Sequence, residues 1–506
     1  MRPYQPPFEQ KLYGGMNDTF DSELVSRYEG ELVQNGNIRN VGSFGGRAGA
    51  TLVGNDTGSL RIMGYGNRVN GTKFMTRIIN GASTEQVQLL SGTTWSNITG
   101  ATTLTKDNDI ITMECGNGNV YYFDGDAGHD VGKFDGSTWS TVAAIPKGIG
   151  GVEWKNFAWI WGVTAYKKRL YFSNIGAPET YTGSDYIDLP EDIISVKPYF
   201  DRLVIGMRHS IAHIEGSGST DFVVSGKTIY QPLGFDFGIV SHESVQIVNN
   251  ELWGMDQEGR IRRIFRSSND VLFGGVVSSK IDSLIKSLNR NQLAKVTAAF
   301  IDGYYIFYAP SGVATENNVG AYYDTRATLP ENVSAWQKHT GWTPSHFCVY
   351  EASNTPELYW GENTADSKSY KWYGVNDNGT AIEMIWRSGK WNDSLANRRK
   401  VYRYGKQQYE PIGAYTGVIK ANIDGRGFNT IKTISFLGAG DLLGSTFIMG
   451  TSILGTSDRL DSDFNFKDGG DDIVGKTLQR ELYASYSAAI PIWYKQTYMY
   501  KALQMR

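Results

Sequence analysis

The stretch that decides the fold is DRLVIGMRHSIAHIEG, Asp201 to Gly216, read together with GFDFGIVSHESVQIVNNELWGMDQEGRIRRI, Gly234 to Ile264. One phrase occurs twice in it. Arg202-Leu-Val-Ile-Gly-Met is an apolar run broken by Gly, followed by a polar corner and Ser210-Ile-Ala-His-Ile. Glu251-Leu-Trp-Gly-Met is followed by the turn Asp256-Gln-Glu-Gly259 and then Ile261-Arg-Arg-Ile. Each reads as strand, tight turn and strand, the pattern of a β-hairpin. Leu203 and Leu252 lie 49 residues apart. A hairpin returning every 40 to 50 residues or so marks a toroidal β array with one small sheet per repeat.

The same spacing extends outward. Val87-Gln-Leu-Leu-Ser-Gly-Thr-Thr-Trp95 is matched by Gly132-Lys-Phe-Asp-Gly-Ser-Thr-Trp139, with the two Trp 44 residues apart. Inner-strand candidates begin at Val120, Leu170, Leu203, Leu252, Tyr304 and Leu358, at spacings of 50, 33, 49, 52 and 54. The short interval implies that Leu170 and Leu203 belong to different strands of neighbouring sheets. The expected fold is all-β, with a six- to seven-bladed β-propeller over 55–385. Ile281, Leu284, Ile285 and Leu288 fall at i, i+3, i+4 and i+7, which marks one short amphipathic helix packed between blades.

On either side the pattern changes. Residues 1–54 read as an extended N-terminal arm, because Pro3, Pro6 and Pro7 exclude helix and Gly14, Gly15, Gly42, Gly45, Gly46 and Gly49 punctuate the rest of the segment. Short strands near Asn35–Val41 and Arg47–Leu52 are expected to close the ring against the last blade. Residues 386–506 read as a C-terminal β-sandwich, from longer alternating strands without the Trp-Gly phrase. Within it, 438–471 is a Gly/Ser/Asp-rich loop whose apolar tip would be costly to expose.

Composition narrows the function classes. With 59 Gly, 30 Tyr, 22 Phe and 13 Trp, the chain favours short strands and tight turns over a disordered or helical protein. A formal charge of −3 excludes a whole-protein basic field for nucleic acid. No signal-peptide core and no run of about 18 apolar residues is present, so a non-secreted chain without a membrane span is expected. Cys115 and Cys348 flank no ligand set and read as free core thiols suited to a reducing cytoplasm.

Chemical motifs are scarce. P-loop, dinucleotide, zincin and nucleophile-elbow patterns are absent. His209 and His213, if on one strand, stand roughly 13 Å apart, too far for one metal. The turn Asp124–Asp130 and the acids of 458–472 lack calcium-loop spacing, and no metal or cofactor is assigned. Phe134-Asp-Gly-Ser-Thr-Trp139 resembles the Asp-box of sialidase-type propellers, one residue short; that device shapes a blade turn and carries no catalysis. No residue is assigned a catalytic role, and the chain is read as not an enzyme.

The order of phrases is similar to that of tail nozzle, hub and neck propeller proteins of tailed bacteriophages. It runs from Tyr13-Gly-Gly-Met-Asn-Asp-Thr-Phe through Asn35-Gly-Asn-Ile-Arg-Asn-Val and Arg47-Ala-Gly. Arg169-Leu-Tyr-Phe-Ser-Asn, the two hairpins above and Ala321-Tyr-Tyr-Asp-Thr-Arg … Trp336 come next. The likeness covers residues 13 to about 345 and departs at Met16, where Leu is usual. It implies a structural virion protein, assembled in the host bacterial cytoplasm, that forms a hexameric ring around the DNA-ejection channel. Implied partners are portal and adaptor proteins, other tail proteins and passing double-stranded DNA. Expected oligomer or partner contacts are Tyr4, Phe8 and Tyr13 in the arm and Phe447, Met449 and Leu454 at the loop tip. Asp458, Asp461, Asp463, Asp468, Asp471 and Asp472 are candidate channel-lining acids, since an acidic wall lets phosphates slide. The alternatives are a host-glycan-binding or glycan-cleaving tail protein, with an aromatic-lined pocket and paired carboxylates, and a cellular propeller interaction scaffold.

Overall fold

The computed structural model describes residues 8–502 except 11–12, 20, 39–41, 55–61, 70–71, 81–83, 102–103, 106–110, 217–222, 225–226, 229, 234–235, 267–271, 331, 352–354, 363–367, 392–398, 411–415, 436–459, 466 and 469–470. The two phrases of the deciding stretch are equivalent hairpins of adjacent sheets. Arg202–Met207 pairs with Ile211–Ile214, and Glu251–Met255 pairs with Ile261–Arg266, each as second and third strand of a four-stranded antiparallel sheet. The Gly in each phrase has a steric cause. A Cβ on Gly206 or Gly254 would stand 2.7 or 2.9 Å from Ile239, whose side chain wedges between the two sheets.

Seven such sheets close a ring. Their first strands are Ile62–Val69, Ile111–Glu114, Gly150–Trp154, Ile193–Tyr199, Gln246–Val248, Thr297–Ile301 and Pro344–Tyr350. The last packs against the first. The seventh blade takes its fourth strand from the N-terminal region: Ala50–Leu52 pairs antiparallel with Ser369–Trp372. The ring-closing expectation therefore holds, and the blade number is seven.

The apolar phrases mark second strands, not the innermost ones. Second strands are covered on both faces by neighbouring blades, so Val120–Phe123, Phe157–Trp161, Arg202–Met207 and Tyr304–Ala309 are buried throughout. Leu170 lies in a third strand, Arg169–Phe172, which accounts for the short interval. Trp95 and Trp139 both sit in fourth strands, of blades 1 and 2. First-to-second turns use left-handed pairs, Lys155-Asn156 (φ 52 and 63) and Asn249-Asn250 (φ 46 and 68), which match the strand twist. The helix is one turn of 3-10 over Ser278–Ile281 followed by Asp282–Lys286, with Ile281, Leu284, Ile285 and Leu288 buried.

The C-terminal sandwich is continuous with blade 6. The outer strand of that blade, Trp336–His339, pairs in parallel with Gly30–Gln34, which pairs antiparallel with Ile382–Ser388. Leu478–Tyr486, Thr416–Ile423 and Phe428–Ser435 complete a nine-stranded sheet. The facing sheet is built on Lys400–Tyr409 and Ile492–Ala502, joined by Phe8–Gln10, Gly36–Asn37 and Phe44–Gly46 from the N-terminal region. Trp386, Tyr402, Leu482, Trp493 and Tyr498 fill the space between the sheets.

One expectation gains detail here and one changes. The described residues of the N-terminal arm include strands inserted in three sheets. The described residues of the loop expected over 438–471 lie in strands: Leu460–Asn465 pairs with Lys400–Tyr409, and Lys467–Asp468 pairs with Asp471–Gly475.

Candidate functional site

The N-terminal phrases, from Tyr13 to Arg47, meet the propeller and the sandwich at their seam. Gly14 N–H donates to Tyr28 O at 2.6 Å, Gly15 N–H to Ser334 O at 2.7 Å and Met16 N–H to Trp336 O at 2.6 Å. The chain threads so closely that a Cβ on Gly15 would stand 2.4 Å from the Trp336 carbonyl oxygen. Asn17 donates to the buried Glu29, which also meets Lys280 at 3.1 Å. Asp18 caps the short helix, its two carboxylate oxygens accepting from Ser283 and Leu284 N–H, both at 2.9 Å.

Arg47 is the second lock. Its guanidinium, 2% exposed, forms a fork with Asp377 at 2.9 and 2.6 Å and also donates to Asn35 Oδ1 and Thr340 O. Trp342 Nε1 donates to the same carboxylate at 3.0 Å, and Tyr486 of the sandwich donates to Arg47 O. Behind this pair His339 is fully buried against Trp342 and Tyr308, whose hydroxyl bonds Nδ1, while Nε2 finds no hydrogen-bonding partner among the described residues. Burial and, secondarily, Arg47 hold its pKa well below the usual histidine value.

A cleft of about 480 Å3 opens beside this lock, between blade 7 and the first sandwich strand. Trp342, Trp360 and Tyr370 stack along one wall, with ring centroids 4.1 and 5.7 Å apart. Glu362 accepts from Thr343 at 3.2 Å and from Tyr370 at 3.5 Å. Asp377, Glu383 and Lys368 add charged groups to a lining that also holds Asn35, Asn378 and Thr380.

A second cavity, about 420 Å3, is the mouth of the propeller axis, where Asp124, His242, Glu243, Lys295, Glu316 and His346 converge from different blades. Lys295 pairs with Glu316. Burial lowers the Lys197 amine, against the pull of Glu243, and burial with Lys197 holds His242 well below the usual value. Ser195 Oγ lies 3.4 Å from His242 Nδ1. Burial pushes Cys348 up to about 12 and raises Cys115 as well, so neither thiol is a thiolate near neutrality. Among the described residues no group of His, Cys, Asp and Glu is placed to hold a metal ion, and no helix is long and apolar enough to cross a membrane.

Residues singled out from sequence fall in several settings. Tyr13 is interior, 1% exposed, its hydroxyl donating to Tyr494 O at 2.5 Å, so its contacts are within the chain and not with a partner. Burial pushes its phenol up to about 12. Phe8 lies in a strand of the sandwich, its side chain outside the described residues. Tyr4, Phe447, Met449, Leu454 and Asp458 lie wholly outside them. Asp461, Asp468, Asp471 and Asp472 fall on paired sandwich strands. Asp463 is exposed and accepts from Tyr404 at 2.5 Å. The acids of Asp124–Asp130 are spent on the turn and on Lys147. Asp135 accepts from Ser137 and Thr138 N–H, bonds that lower its pKa and fix a hairpin turn. His213 meets Glu215 at 3.0 Å, while His209 stands exposed in the preceding turn. The locks at Asp18 and Asp377 and the cleft were not singled out from sequence.

By its own pairing the chain is an all-β seven-bladed propeller fused edge-on to a β-sandwich. No family model and no curated protein matches it. Among solved structures it is similar to BBS1N from a complex with ARL6DN, at 10% identity over 65% of this chain and 96% of that one, TM-score 0.40. It is also similar to BamB from Moraxella catarrhalis (11% identity, 64% and 98% covered, TM-score 0.34) and to the AfRom2 CNH domain (10%, 64% and 97%, TM-score 0.38).

Proposed function

We propose that this chain is a structural virion protein, one copy of a hexameric ring in the tail nozzle, hub or neck of a tailed phage, around the path of DNA ejection. The observation that carries the reading is the seam. The N-terminal residues among those by which the sequence resembles that family, Gly14 to Asp18, Asn35 and Arg47, weld propeller to sandwich. The likeness itself covers residues 13 to about 345, and these contacts tie that part of the chain to the sandwich. The coarser reading, a propeller scaffold that binds protein partners, needs the fold alone. A part that holds a pressurised channel needs rigidity, and seven stacked blades with one sheet running on into the sandwich supply it with few free edges. A formal charge of −3 suits a wall that does not grip phosphates. Portal, adaptor and further tail proteins are the partners this reading implies, and the virion is its location.

The test is native mass spectrometry of the purified chain, followed by electron-microscopy class averages with and without the neighbouring tail proteins. Rings of about six copies with an axial hole near the ~20 Å width of duplex DNA support the conduit. A chain that stays monomeric with those proteins present overturns it.

A further inference from the structure

We propose that the seam cleft is a binding site for a neutral oligosaccharide, with Tyr370 as the aromatic platform and Glu362 as the hydroxyl-binding group. The walls come from parts of the chain far apart in sequence: Asn35 and Ala50, the Thr340–Thr343 connector, the end of blade 7, and residues within 377–383. Its volume, about 480 Å3, lies within the range of small-ligand sites and suits a short saccharide.

The chemistry selects the ligand class. Trp342 and Trp360 are 3% and 2% exposed, their surfaces spent on each other, on Arg47 and on His339. Tyr370, next in the stack, remains half-buried and lines the cleft, so its ring is the one held rigidly and still accessible. An aromatic ring packs against the C–H face of a pyranose, and the order of the stack spares the cost of immobilising it on binding. Beside the ring stands the half-buried Glu362 carboxylate, acceptor-only and fixed by Thr343 and Tyr370, with lone pairs left for ligand hydroxyls. Asp377 is neutralised by Arg47, whereas among the described lining residues Glu362 and Glu383 face one lysine, Lys368. That balance disfavours sialic or uronic acids and leaves a neutral sugar as the fitting guest. Saccharide binding is independent of ring formation, and the two fail separately.

Saturation-transfer NMR and calorimetry on the full chain would use maltotriose, laminaritriose and triacetylchitotriose as neutral probes, with 3′-sialyllactose as the anionic comparator. At least one neutral probe should bind with a dissociation constant of about 10 mM or tighter, and sialyllactose more weakly. Tyr370→Ala should weaken that binding about tenfold, the weight of one aromatic contact. Tyr370→Phe should hold it within about twofold, because the ring is kept. Glu362→Gln keeps the shape of the site and should also weaken binding, which preserves the test should Tyr370→Ala fail to fold. The proposal is overturned by no binding of any neutral probe, by binding that survives both Tyr370→Ala and Glu362→Gln, or by a preference for sialyllactose.

Discussion

Arg47 and Asp377 stand 330 positions apart in the chain and meet in a fork that is almost closed to water. Removing one member of such a pair strands the other's charge in the interior, which costs more than the pair itself contributes. Arg47→Ala should therefore lower stability by about 3–5 kcal/mol in urea titrations, and Asp377→Asn, which keeps part of the hydrogen bonding, by less. His339, packed behind the pair, gives the seam a pH dependence of definite sign. Its folded pKa is well below 6.5, whereas in the unfolded chain it titrates near 6.5. Below that value the unfolded state binds a proton that the folded state refuses. The stabilisation is thus complete above pH 6.5 and is lost as pH falls through it, at up to about 1.4 kcal/mol per pH unit for this one group. His242, also held low by burial, acts in the same direction. Urea midpoints between about pH 7.5 and 5.5 should fall, and His339→Gln should make that fall shallower. A slope unchanged by the substitution would mean that other groups carry it.

Among elements, those readable from sequence were the ones with a local signature. Second strands buried on both faces give continuous apolar runs, and tight two-residue turns give Asn and Gly pairs, so the second strands of five blades announce themselves. Phe157–Trp161 and Thr72–Asn80, the second strands of blades 3 and 1, were not marked from sequence. The helix showed its apolar stripe but not its cap, since Asp18 lies 265 residues before Ser283. That cap makes the element testable. Asp18→Ala removes two acceptors from the first turn and should cost about 1 kcal/mol, with Asp18→Asn recovering part of it. Hydrogen exchange at Ser283 and Leu284 should quicken in the alanine variant, and unchanged protection there would show the cap to be dispensable. The cleft was invisible for the same reason as the cap. Asn35, Trp342, Glu362, Tyr370 and Asp377 share no window of sequence, and only closure of the ring by Ala50–Leu52 brings them together.

At the scale of the whole molecule, the sequence suggested three consecutive parts, and the structure interleaves them. The sandwich cannot be cut from the chain at residue 386 without loss. Its first sheet reaches blade 6 only through Gly30–Gln34, and its second includes Phe8–Gln10, Gly36–Asn37 and Phe44–Gly46. Tyr13 and Phe44 fill its core beside Trp386, with Tyr13 edge-on to that ring at 5.1 Å. Without the N-terminal strands the core would be open to water along Trp386, Trp493 and Tyr498, and Ile382–Ser388 would become a free edge. A fragment of residues 380–506 should accordingly fail to fold: no cooperative urea transition, strong binding of a hydrophobic dye and a poorly dispersed amide spectrum. Adding a peptide of residues 8–54 in trans should restore a cooperative transition, because that segment supplies the missing strands of both sheets. If the fragment folds alone with a sharp transition, the sandwich is an autonomous domain and the seam is a docking contact between two finished bodies. If it folds only with the peptide, the N-terminal region is the element that makes propeller and sandwich one body. That unity is what a ring-forming conduit subunit would need, since load on either part then reaches the other through an unbroken hydrogen-bonded sheet.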